Sequence, residues 1–94
     1  MQVRETRPYD WPAIEMLVKK ARFTSPALWR WEAYLTDQGF VVVEIAHRIE
    51  GALLASPDES PVAWVRLAAV SKVLDVGQWL NLSLPPILAH LRSL

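Results

Sequence analysis

Cysteine is absent from this 94-residue chain, which removes disulfides, thiol catalysis and the commonest zinc sites together. A charge excess of either sign is missing too. Ten basic side chains balance ten acidic ones, whereas binders of nucleic acid or anionic membranes carry a basic surplus. Apolar runs are short, and none approaches the roughly 20 residues that span a bilayer. The opening Met1-Gln-Val-Arg-Glu-Thr-Arg7 has no apolar stretch of the kind a signal peptide needs. Repeats and low-complexity tracts are also missing. These absences lead us to expect a cytoplasmic chain with no nucleic-acid partner, no membrane partner and no bound metal.

Apolar material, by contrast, is plentiful. Hydrophobic residues make up 52% of the chain and five of them are Trp, which excludes disorder. The length fits one domain, residues 1–94, and a domain this small buries only about two-thirds of the surface its unfolded chain exposes. An apolar surplus on so small a body leaves surface over, and such surface marks a partner.

The periodicity changes along the chain. Residues 2–7 alternate as a first strand, which Pro8 ends because it has no N–H for a ladder. Asp10 then has the chemistry of an N-cap, and Ile14, Leu17, Val18 and Ala21 form one stripe of a helix over about 11–22. Lys19, Lys20 and Arg22 complement the C-terminal end of its dipole. Ser25-Pro26 opens a second helix over about 26–37, with Gly39 as its stop. The β-branched run 40–47 predicts a strand, Arg48 to Gly51 a turn, 51–56 a second strand and 62–70 a third.

The stretch Val62 to Val70 is apolar on both faces save Arg66, as in a central strand. Being last in the chain, it is expected at an open sheet edge, where unpaired backbone groups invite another chain. Asp75-Val-Gly-Gln78 has the spacing of a capping box for a helix over about 76–92, kinked at Pro85-Pro86. The fold class expected is α+β, in the order β-α-α-β-β-β-α, with helices packed on an antiparallel meander.

That order resembles the N-terminal half of the GNAT (GCN5-related) N-acetyltransferase fold. The resemblance is carried by three stretches: Val3-Arg-Glu-Thr-Arg-Pro-Tyr-Asp10 leading into a helix, Phe40 to Leu54 as a hairpin, and Ala63-Trp-Val-Arg-Leu-Ala-Ala-Val70. It implies an acetyl-CoA pyrophosphate loop of the pattern Arg/Gln-x-x-Gly-x-Gly/Ala after the last of these strands. By position that loop and the strand end fall on Ala69, Val70, Val76, Gly77 and Gln78. Asp75 stands where the family has its basic residue, and Val76, Gln78 and Leu80 where it has glycines. Shifted by one residue, Gly77 meets a glycine position and Trp79 takes the next. Bulk and negative charge there oppose a pyrophosphate, and Asp75 has a structural task as a helix cap.

No residue set for acetyl transfer stands out. Glu44 reads as a solvated strand carboxylate rather than a base, His47 as a solvent-facing strand end, and His90 has no acid or thiol near it in sequence. Trp11, Trp29, Trp31, Trp64 and Trp79 read as core and interface packing. The expected function is a GNAT-like domain that is non-catalytic alone, with no catalytic residue and no cofactor, forming a homodimer through the Val62–Val70 strand and adjoining helices. The alternative is a fragment or split subunit of an acetyl-CoA-dependent N-acetyltransferase.

Overall fold

A computed structural model describes residues 1–20, 23–24, 39–57 and 63–93. Five strands form one antiparallel sheet: β1 (Gln2–Glu5), β2 (Phe23–Thr24), β3 (Phe40–Ile45), β4 (Arg48–Pro57) and β5 (Ala63–Val70), in the spatial order β1-β3-β4-β5-β2. Two helices, α1 (Trp11–Lys20) and α2 (Val76–Arg92), complete the described architecture. The α+β class and the antiparallel meander are those the sequence predicts. The helix expected over 26–37 lies outside the described residues.

Alternation along the strands sorts the core into two halves. Phe40, Val42, Ala52, Leu54, Leu67 and Ala69 pack with Ile14 and Leu17 of α1. Their neighbours Val41, Val43, Leu53, Ala55, Ala68 and Val70 pack with Leu74, Trp79 and Ile87 on the α2 side. The sheet is therefore covered on both faces, which is why Phe40–Val43 of β3, Gly51–Ala55 of β4 and Leu67–Val70 of β5 are apolar at every position.

Several boundaries differ from the sequence reading, each for a physical reason. The first strand ends at Glu5 rather than residue 7, although Thr6 N–H still donates to the Phe40 carbonyl at 3.0 Å. Pro8 begins a single 3-10 turn, Pro8–Asp10, that runs directly into α1. Asp10 is not a helix N-cap. Its carboxylate accepts instead from the Arg7 backbone N–H at 2.7 Å and from the Arg4 guanidinium at 2.8 and 2.9 Å.

The β3–β4 turn is also displaced. β3 stops at Ile45, which pairs with Arg48, so the loop is the two residues Ala46 and His47, both at positive φ, 51° and 66°. Positive φ at both central positions is the type I′ arrangement whose twist matches paired strands. Arg48 to Gly51 is thus strand, not turn. Gly51 lies opposite Val43 in mid-sheet, where an added Cβ would stand 2.7 Å from Trp79 Cδ1. Glycine is there to seat the indole, not to bend the chain.

One further expectation is corrected. β5 is not wholly at an open edge, because Phe23 and Thr24 pair with Val70 and Ala69. Among the described residues only Ala63 to Leu67 have no strand on that side. The last helix runs as one element from Val76 to Arg92, the bounds the sequence predicts, with Pro85 and Pro86 inside it. Both rings are exposed, so the Asn81 and Leu82 carbonyls that lose their i+4 donors have access to water.

Candidate functional site

The site to which the sequence points is the passage from β5 into α2. Val70 ends β5, and Ser71 is held to the neighbouring strand twice. Its N–H donates to the Glu50 carbonyl at 2.9 Å, and its hydroxyl donates to the Glu50 carboxylate at 3.0 Å. The same hydroxyl oxygen accepts from Val73 N–H at 3.2 Å, which curls the chain as a Ser turn. Leu74 anchors the loop by burying its side chain against Trp79 and Val70 in the α2-side core.

Asp75 follows as the N-cap of α2. Its carboxylate accepts from Gln78 N–H at 3.0 Å, and its carbonyl accepts from Trp79 N–H at 2.9 Å. A free helix N-terminus offers unsatisfied N–H groups and a positive dipole end, which together bind phosphates. Here the cap carries the anion itself.

Of the five positions implied by the family resemblance, Ala69 and Val70 are fully buried, on opposite faces of the sheet. Val76 is half-buried against the α2-side core, and Gly77 and Gln78 are exposed on the first turn. The structure brings Val76, Gly77 and Gln78 together at the helix start, while the Ala69 and Val70 side chains face into the core. A Cβ on Gly77 would meet only the Asp75 carboxylate, at 3.2 Å.

A second polar cluster escaped the sequence reading. Arg4 on β1 donates to both Asp10 oxygens and also to the Glu44 carboxylate on β3. Asp10 is buried (3% exposed) and Glu44 half-buried. Hydrogen bonding to Asp10 raises the Arg4 pKa further above its ordinary value, against the opposing effect of burial. For Asp10, burial alone would raise the pKa, but the Arg4 and Arg7 hydrogen bonds and charges outweigh it and hold the carboxyl below its ordinary value. Glu44 is therefore an ion-pair member rather than a solvated carboxylate. The only signal for this cluster is the β1–β3 register, which sets Arg4 beside Val42 and two residues from Glu44 on the same face.

His47 is exposed in its turn and His90 half-buried on α2. Among the described residues no three His, Asp or Glu side chains group as metal ligands. No helix of the described residues is long and apolar enough to cross a membrane.

No family model and no curated protein matches this sequence. Among solved structures, the ribosomal-protein-alanine N-acetyltransferase from Brucella melitensis superposes with a TM-score of 0.64 at 16% identity, over 99% of this chain and 68% of that one. The chain thus has a GNAT-like fold, and the likeness is one of architecture.

Proposed function

We propose that this chain is a GNAT-like domain that does not catalyse on its own and serves as a self-associating interaction module, working in the cytoplasm. One observation carries the reading. At the N-terminus of α2, where an acyl-CoA pyrophosphate would need free N–H groups, the Gln78 N–H is already taken by the Asp75 carboxylate, which also sets a negative charge at that end of the helix. A pyrophosphate there would have to displace the Asp75 carboxylate or lie beside its negative charge. The loop ahead of it, Ser71 to Val76, contains no glycine through which a backbone could close on a phosphate.

Thermal denaturation with millimolar acetyl-CoA tests the non-catalytic part. A ligand that binds only the native state raises the midpoint with concentration. We expect an unchanged midpoint, and a saturable rise would overturn the reading.

A second reading is favoured by the superposition, which covers only 68% of the N-acetyltransferase it matches. On that reading the chain supplies the N-terminal part of an acetyl-CoA-dependent enzyme. Here the same titration would show its saturable rise only once the complementary part is supplied.

A further inference from the structure

We draw no further inference here: the strongest candidate, the half-open groove between α1 and the start of β4 lined by Met16, Leu17, Lys20, Ile49, Glu50 and Ser71, sets a cation and a carboxylate on the same walls, so its charges select no one class of ligand and nothing in the structure shows what covers it.

Discussion

Gly51 and the turn residues Ala46 and His47 show how single side chains set the geometry around them. At Gly51 the nearest atoms to an added methyl belong to Trp79 and Leu74, both buried to 1% exposure, so neither can swing away. Gly51→Ala should destabilise by about 1–3 kcal/mol through overpacking. In a Trp79→Phe background the cost should shrink, because the indole atoms that clash are gone. Urea titrations of the two single variants and the double give that coupling directly. At the turn the chain uses two residues ill-suited to positive φ. Ala46→Asn with His47→Gly supplies the pair a type I′ turn favours and should stabilise by about 1 kcal/mol. The check is a higher denaturation midpoint with an unchanged slope.

The elements were legible where their signal was local. The β-branched run of β3, the two-sided apolar pattern of β5 and the cap at Asp75 place those elements within about two residues of their observed ends, the usual uncertainty of boundaries. What escaped was non-local or atypical. Glycine ordinarily marks turns, so Gly51 drew the hairpin turn to itself, while Ala46-His47 carries no turn chemistry at all. β2 is two residues long and pairs across more than forty positions of sequence with Ala69 and Val70, a contact no local pattern encodes. Asp10 fits a cap by residue type, and only the packing of β1 against β3 turns it to Arg4. The candidate loop was legible as a capped helix start, because capping is itself a short-range pattern. At this scale α2 supplies its own prediction. Pro86→Ala restores a donor to the Leu82 carbonyl at an exposed position and should stabilise by about 1–3 kcal/mol. Thermal melts would show it as a raised midpoint at unchanged secondary-structure content.

At the scale of the whole, the described residues form a sheet with a helix on each face, and the response to acid should depend in part on particular ion pairs. The Arg4 cluster is the one to watch, since it ties β1, the turn before α1 and β3 at one point. Asp10 has a carboxyl pKa depressed in the fold. A group of that kind binds its proton more readily when unfolded, so it stabilises the fold above the unfolded value of about 4 and loses that contribution as pH falls through the folded value. Stability should therefore fall steadily on acidification from about pH 4 downward. Asp10→Asn should lower stability at neutral pH and flatten that acid slope, because the remaining amide cannot titrate. Arg4→Met should cost more than Asp10→Asn, as it leaves a buried carboxylate without its cation and Glu44 without its partner. Urea unfolding of the three proteins from pH 3 to pH 7 would check both the slope and the order. Equal slopes in wild type and Asp10→Asn would mean that acid acts elsewhere than at this junction.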